Sequence, residues 1–539
     1  MPKTASKTKR VSAKAKDPEK AVATASPMRL PVGLMVALIC GALFGLSAPG
    51  FNQWYLAWIG LAPFFLLVAG SDSWKQATLR GLIFGTAYNL VYLNWYLGLH
   101  SLNWMGLNDF QSIGLAALCW LIVSVHQGVM FALFALLMRL LPLCGGALPR
   151  KVEDKWKLPA LIAIPLLWQL GFERVLNAHD WLGVPWSMIE YSQYKLTALI
   201  QIASIIGGIG IGVIVVMMNV SLATLLATVT KKFAVKTLAS ESKLGAVCGV
   251  LVMLLVVSST TIYGFQRMQT SRLHPNHNVQ ILQGNINIEM QKKEGHRYTL
   301  EELMTHYGRL LKNCVPGYCV WTESAIPAYL RDSPGVLAFL KNNARAHHID
   351  MVLGSIDSDA GSRPYNGAFG ITSDGTLLPE AYHKRYLVPV GEYTPAFVKL
   401  LPEFLQRLTD TPAGTGFESG KKPVVLNFEG KKIAPLICFE TIAPEIVSSS
   451  VRNGGELLVN ISDLAWFHDD MVGAQTEACA VFRAVESGRY FVYAANTGPS
   501  LVISPLGAVD LRSKCGEEKL LSAKVELLDE LTPFAQWYQ

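Results

Sequence analysis

Three ionisable side chains in the C-terminal half stand where acyl or amide chemistry would need them. Cys438 lies in LICFE, at the end of an apolar strand-like run and just before a helix-like one. A strand-to-helix turn exposes a nucleophile at the sheet edge and aims the following backbone N–H groups at one point. A helix N-terminus or a nearby lysine there is expected to favour the thiolate. Lys384 lies in YHKRYLVPVGEYTP, a loop whose two prolines fix its course. Glu323 lies in WTES, directly after a strand-like run, and a carboxylate in a desolvated pocket can serve as general base and then general acid. Each has a plainer reading when taken singly. A cysteine after a strand is most often a buried small residue, a loop lysine is solvated, and a glutamate after a strand caps a surface. The chain has no Ser-centred GxSxG, no HExxH and no Walker loop.

The elements that must position these residues begin near Asn278. NVQILQGN, YCVWTES, MVLGSID, KKIAPLIC, LLVNISD, FVYAAN and SLVISP read as strands, and YNGAFGITSDGTLL as a hairpin with an Asp-Gly turn. TLEELMTHYGRLLKN places Leu300, Leu303, Met304, Tyr307, Leu310 and Leu311 on one helical side. ETIAPEIVSSSVRN and the stretch from about Gln475 to Ser487 also read as helices. This alternation predicts a layered α/β sandwich.

The N-terminal half has another character. The chain is 51% hydrophobic and only 16% charged, with mean hydropathy +0.30, whereas soluble domains run nearer a quarter charged. Residues 1–30 read as a basic cytoplasmic tail. About seven apolar runs follow, near 32–48, 54–70, 81–99, 112–138, 158–173, 197–229 and 244–265. The fifth is marginal for a span and the sixth long enough to tilt or bend. Lys75 and Arg80, then Arg139, Arg150, Lys151, Lys155 and Lys157, then Lys231, Lys232, Lys236 and Lys243 fall in alternate loops, while His100 to Gln111 has no Lys or Arg. The positive-inside rule puts the N-terminus in the cytoplasm and everything after about residue 266 outside. Expected domains are thus 1–30, a membrane domain 31–266, an external catalytic domain 267–530 and a tail 531–539. Asn89, Asn94, His126 and Gln127 lie within the runs, as interhelical hydrogen-bonding groups or along a lipid entry path. Trp181, Trp186 and Tyr191 sit in the aromatic loop WLGVPWSMIEY, an interfacial belt or the substrate approach under a membrane-facing site. The net charge of +7 gathers in the first thirty residues and short loops, which argues against a nucleic-acid partner. Of nine cysteines, Cys314 and Cys319 would pair if that half faces an oxidising compartment.

Glu323, Lys384 and Cys438, in that order with these flanks, resemble the nitrilase (carbon–nitrogen hydrolase) superfamily. Within it, the membrane prefix and the strings QGNI, WTES, YNG, YHKRYLVPVGEYTP, ICFE, NISD-AWF and RAVESGRY are similar to the apolipoprotein N-acyltransferase family. The resemblance runs from about residue 32 to the C-terminus. It implies a multi-spanning helical membrane domain followed by a nitrilase-like four-layer sandwich, with Glu323, Lys384 and Cys438 as the triad and Glu392 and Glu440 as supporting acids. It implies ping-pong transfer of an acyl chain from a membrane phospholipid to a diacylated apolipoprotein, with no cofactor or metal, in the bacterial inner membrane with the catalytic domain facing the periplasm. A membrane-tethered amide hydrolase would use the same triad, and a non-catalytic sensor would not keep it intact. The chain departs from the family pattern at Phe439, where tyrosine is usual, at Asp463-Leu464, where Asn-Asp is typical, and at His468, where glycine is common. It stops at TPFAQWYQ where family members usually add one more span, so weaker anchoring is expected.

Overall fold

The computed structural model describes residues 29–103, 106–140, 163–176, 186–230, 243–286, 298–358, 363–389, 391–393, 416–467 and 470–538. The N-terminal half is helical: α1 (Leu30–Gly45), α2 (Ala62–Ala69), α3 (Trp74–Tyr92), α4 (Asp109–Leu140), α5 (Ala203–Thr230) and α6 (Lys243–Thr270). Among the described residues three helices, Asp109–Arg139, Ala203–Thr230 and Lys243–Thr270, are long and apolar enough to cross a membrane. Their outward faces carry Phe110, Ile122, Val229, Leu244 and Leu255, all exposed, as lipid-facing helices do.

The apolar runs are interrupted for identifiable reasons. Run 54–70 is split into a 3-10 turn at Trp54–Trp58 and the eight-residue α2, about 12 Å long and too short to span. The break opens backbone groups that the Asn219 side chain satisfies. Its Oδ1 accepts from Leu61 N at 2.9 Å and Ala62 N at 3.0 Å, and its Nδ2 donates to Ala57 O at 2.8 Å. The sixth run bends at Gly207 (φ 68°), where an added Cβ would meet the Phe534 ring at 2.3 Å. Arg80, which the sequence suggests as a loop charge, instead lies buried within α3, donating to Leu67 O at 2.9 Å and Ser71 Oγ at 3.1 Å. Asn89 donates to Gly85 O of its own helix.

Two six-stranded sheets form the C-terminal half. The strands are β1 (His277–Gln283), β2 (Gly317–Val320), β3 (Ile349–Asp357), β4 (Tyr365–Ile371), β5 (Tyr382–His383), β6 (Leu426–Phe428), β7 (Lys431–Ile437), β8 (Leu457–Ser462), β9 (Phe491–Ala495), β10 (Leu501–Ile503), β11 (Val509–Arg512) and β12 (Lys519–Val525). The orders are β12-β1-β2-β3-β4-β5 and β11-β10-β9-β8-β7-β6. β1, β2 and β3 are parallel at the centre of one sheet, and β7, β8 and β9 at the centre of the other. The helices are α7 (Leu300–Leu311), α8 (Pro334–His347), α9 (Pro444–Arg452), α10 (Asp470–Ser487) and the short α11 (Pro533–Trp537).

Side-chain alternation builds the layers. Tyr318, Val320, Ile433, Ile437, Val459, Ile461 and Val492 meet between the sheets. Cys319 and Trp321 point the other way, into a core shared with α7 and α8. Leu436, Leu458, Phe491 and Tyr493 join Ala478 and Phe482 of α10, and this third core runs on into Phe64, Tyr88, Trp95, Trp186 and Val215 of the membrane half. The result is the expected four-layer sandwich, with its last helical layer packed directly on the membrane helices. Thr299 and Glu302 start α7 with a reciprocal capping box. The Asp-Gly turn stands as expected, with Gly375 at φ 81° and Leu378 N donating to Gly370 O at 2.9 Å.

Candidate active site

The three sequence-predicted residues converge on loops at the C-terminal ends of strands, where open parallel sheets place their sites. Glu323 is the third residue after β2. The Thr322–Ser324 backbone passes so close over β3 that a Cβ on Gly354 would lie 2.7 Å from Ser324 N, so glycine is required there. Lys384 follows β5, its N–H donating to Asn366 O at 2.9 Å. Cys438 follows β7 with φ 51°, a conformation that costs a non-glycine residue strain and is typical of a nucleophile turn.

The charged groups interlock. Lys384, 1% exposed, donates through Nζ to Glu392 Oε1 at 2.8 Å and Glu323 Oε1 at 3.2 Å. Asn366 Nδ2 donates to the same two oxygens, at 2.9 and 2.8 Å respectively. Glu323 Oε2 accepts from Asp463 N at 3.0 Å, and Glu392 Oε2 from Val388 N at 2.8 Å. Burial works against the Lys384 ammonium, but Glu323, Glu392 and Cys438 outweigh it and raise its pKa, so the lysine stays charged. Desolvation and then the Glu323 charge push the Cys438 thiol up to about 12, while Lys384 and a hydrogen bond with Ser462 act in the opposite direction. This corrects the expectation of a thiolate favoured by a helix N-terminus. Cys438–Ile442 is a five-residue 3-10 turn, and α9 begins only at Pro444, so no helix dipole is aimed at the sulfur. With the thiol pushed up and the ammonium held charged, the thiol needs a base.

Glu440 organises the turn rather than the proton transfer. It is fully buried, and its carboxylate accepts from Ile437 N at 2.7 Å, Arg385 N at 2.6 Å, Tyr386 N at 3.2 Å and the Tyr382 hydroxyl at 2.8 Å. It therefore ties the Cys438 turn to the Lys384 loop. Phe439, the next residue after the cysteine, is stacked between Trp186 (5.7 Å, 14°) and Tyr386 (5.6 Å, 23°). Trp186 thus stands beside the nucleophile turn. Tyr191 is placed elsewhere, 2% exposed with its ring edge-on to Phe482 of α10 at 5.5 Å, as a packing residue. Trp181 and His468 lie outside the described residues.

Three residues take parts here that the sequence reading did not assign to them. Asn366, which bridges Glu323 and Glu392, is a polar residue inside the otherwise apolar strand YNGAFGI, and it lies in the string YNG. Asp463, beside Glu323, is pushed up to about 6 by desolvation, with Ala465 N–H acting against this and the Glu323 charge adding to it. Gln475 of α10 accepts from the indole N–H of both Trp95 (3.0 Å) and Trp186 and donates to Tyr92 O at 2.8 Å, and so ties α10 to the membrane half. Among the described residues no group of three His, Cys, Asp or Glu could hold a metal ion.

Residues 40–221 match the model of the apolipoprotein N-acyltransferase N-terminal domain, and residues 282–530 that of the carbon-nitrogen hydrolases. Apolipoprotein N-acyltransferase of Geobacter metallireducens is 34% identical over 92% of this chain and 89% of its own length. That of Coxiella burnetii is 27% identical over 93% and 96%. The solved Saccharomyces cerevisiae Nit3, of the nitrilase superfamily, aligns with 48% of this chain and 92% of its own at 19% identity and TM-score 0.35. A nitrilase-type domain with a buried Glu-Lys pair beside a cysteine turn, packed on long apolar helices and matching the Geobacter relative almost end to end, makes this chain a member of the apolipoprotein N-acyltransferase family.

Proposed function

We propose that this chain moves a fatty acyl group from a membrane phospholipid to the free α-amino group of the diacylglyceryl-modified N-terminal cysteine of an apolipoprotein, through a thioester on Cys438. In this reading residues 31–266 form the inner-membrane domain, and residues 267–530 face the periplasm. Glu323 takes the Cys438 proton, and the thiolate attacks the ester carbonyl. Lys384 and the backbone N–H of Phe439 hold the oxyanion. The ester C–O bond breaks, Glu323 returns its proton to the leaving alkoxide, and a lysophospholipid departs. The lipoprotein amine then attacks the thioester, Glu323 accepts its proton, and the sulfur leaves and is reprotonated. Nucleic acid has no part in this sequence of steps.

The observation that carries the reading is the charge balance of the site. Moving a proton from Cys438 to Glu323 transfers one negative charge to the sulfur while the Lys384–Glu392 pair stays in place (2.8 Å). The net charge of the buried group is unchanged. A fixed ammonium in such a pocket is worth several kcal/mol more than in water, and needs no reorganisation as the charge moves. Glu392 acts as the counter-charge that keeps Lys384 in position when Glu323 is protonated.

Mass spectrometry of the full-length protein incubated with phospholipid and no acceptor tests this. A hydroxylamine-labile acyl group is expected on Cys438 alone, and it should discharge when a diacylated peptide amine is added. An adduct on Cys479 or Cys515, or release of the acyl group to water as fast without the amine as with it, would refute the transferase reading.

A further inference from the structure

Cys314 and Cys319 are a second pair of reactive groups that the transfer chemistry does not use. Their Sγ atoms lie 4.0 Å apart. Both residues are buried in the core shared by β2 and α7, among Leu303, Tyr307, Leu311 and Trp321. The segment between them is rigid for three separate reasons. Pro316 fixes one φ. Gly317 takes φ 141°, and a Cβ there would lie 2.6 Å from Asn278 O. The Gln280 side chain clamps Val315 from both sides, accepting from its N–H at 2.9 Å and donating to its C=O at 2.6 Å. The thiols therefore face each other because the turn holds them there.

We propose that Cys314 and Cys319 form a disulfide in the mature protein, fastening the end of α7 to β2, the strand that delivers Glu323. This rests on the reading that residues 267–530 face an oxidising compartment, where such bonds form and persist. A shift of about 2 Å between the sulfurs completes the bond, within reach of small side-chain rotations. The thiolate of Cys314 attacks a sulfur of an external protein disulfide, forming a mixed disulfide and expelling one thiolate of that partner. Cys319, deprotonated, then attacks the Cys314 sulfur and expels the second. Two protons and two electrons pass to the partner, which leaves as a dithiol. Because Cys319 is fully buried in the folded chain, the exchange takes place before the core closes over it.

Both cysteines fall in one tryptic peptide, residues 313–331, which also contains Glu323. Cells expressing the full chain are quenched with N-ethylmaleimide before lysis, and the peptide is weighed. It should carry no label and be lighter by two hydrogens than the reduced form, and it should take two labels after reduction. Reduction should also lower the thermal midpoint of the wild type while leaving that of Cys314→Ala unmoved. The membrane orientation is read separately with a membrane-impermeant maleimide on Lys422→Cys, whose native side chain is 72% exposed. External labelling there together with a doubly labelled, reduced 313–331 peptide would overturn the disulfide and leave the orientation standing. Protection of that position in intact cells, with a reduced peptide, would overturn both.

Discussion

Asp463 stands beside Glu323, its backbone N–H donating to Glu323 Oε2 at 3.0 Å. Its carboxyl is pushed up from 3.8 to about 6, first by desolvation. At about 1.4 kcal/mol for each tenfold change in proton affinity, holding it ionised costs the folded state about 3 kcal/mol. The raised value fixes the sign. Below about pH 4 the group is protonated in both folded and unfolded chains and costs nothing. As pH rises toward 6 the unfolded chain ionises first and gains. Above 6 the full cost is present. Asp463→Asn removes the charge and keeps the Oδ1 acceptor for Ala465 N (3.0 Å) and Asn496 Nδ2 (3.1 Å). The variant should match the wild type near pH 4, pull ahead between pH 4 and 6, and hold a constant lead above that. For a domain of this size the lead should be roughly 5–10 °C in thermal midpoint. Thermal unfolding of the two purified proteins in the same detergent, from pH 4 to 8, measures it. Parallel curves, or a lead as large at pH 4 as at pH 7, would refute the burial argument.

Other substitutions probe the same network. Lys384→Arg keeps the charge, but a planar guanidinium cannot occupy the point between Glu323 and Glu392. The rate of Cys438 acylation should fall by about 100-fold or more, the scale of losing one preorganised donor. Asn366→Asp replaces the donor shared by Glu323 and Glu392 with a third carboxylate, and single-turnover acylation should drop at least as far, about 100-fold. Gln475→Leu leaves two buried indole N–H groups without their acceptor, at about 1–3 kcal/mol each. A lower thermal midpoint and altered tryptophan emission are expected, with little change if Gln475 is incidental.

What the sequence makes legible follows from what each feature depends on. The central strands β1, β2, β3, β7, β8 and β9 are apolar runs buried on both faces, and such runs announce themselves. The edge strands β11 and β12 read VDLR and KLLSAKV with mostly open faces, and no pattern separates them from loop. Glu323, Lys384 and Cys438 are recognisable because motif strings surround them. Asn366 and Gln475 act through partners 43 and 289 residues away in the chain, and nothing local marks such pairings. The split of run 54–70 is hidden for the same reason, since Asn219, which satisfies the opened backbone, lies 158 residues beyond Leu61. The Cys438 thiol misleads in another way. Its chain position suggests a helix terminus, and only the three-dimensional environment reveals the 3-10 turn in its place and the desolvation that raises the thiol's pKa.

The membrane half does more than anchor the catalytic half, because the two share one core. α10 is buried along nearly its whole length. Phe482 meets Tyr191, Gln475 holds Trp95 and Trp186, and Glu486, paired with Arg483 at 2.8 Å, accepts from Gly208 N of α5 at 2.7 Å. Sliding α10 past α5 would strip the buried Glu486 carboxylate and the Gly208 N–H of each other, which is costly away from water. The stack that follows, Trp186 on Phe439 on Tyr386, ends on the turn that carries Cys438 and on the loop that carries Lys384. Ring contacts therefore join Trp186 to the turn that carries Cys438. Under the proposed reading, with donor and acceptor both held in a bilayer, this arrangement fixes the depth of the site for substrates that cannot diffuse to correct it.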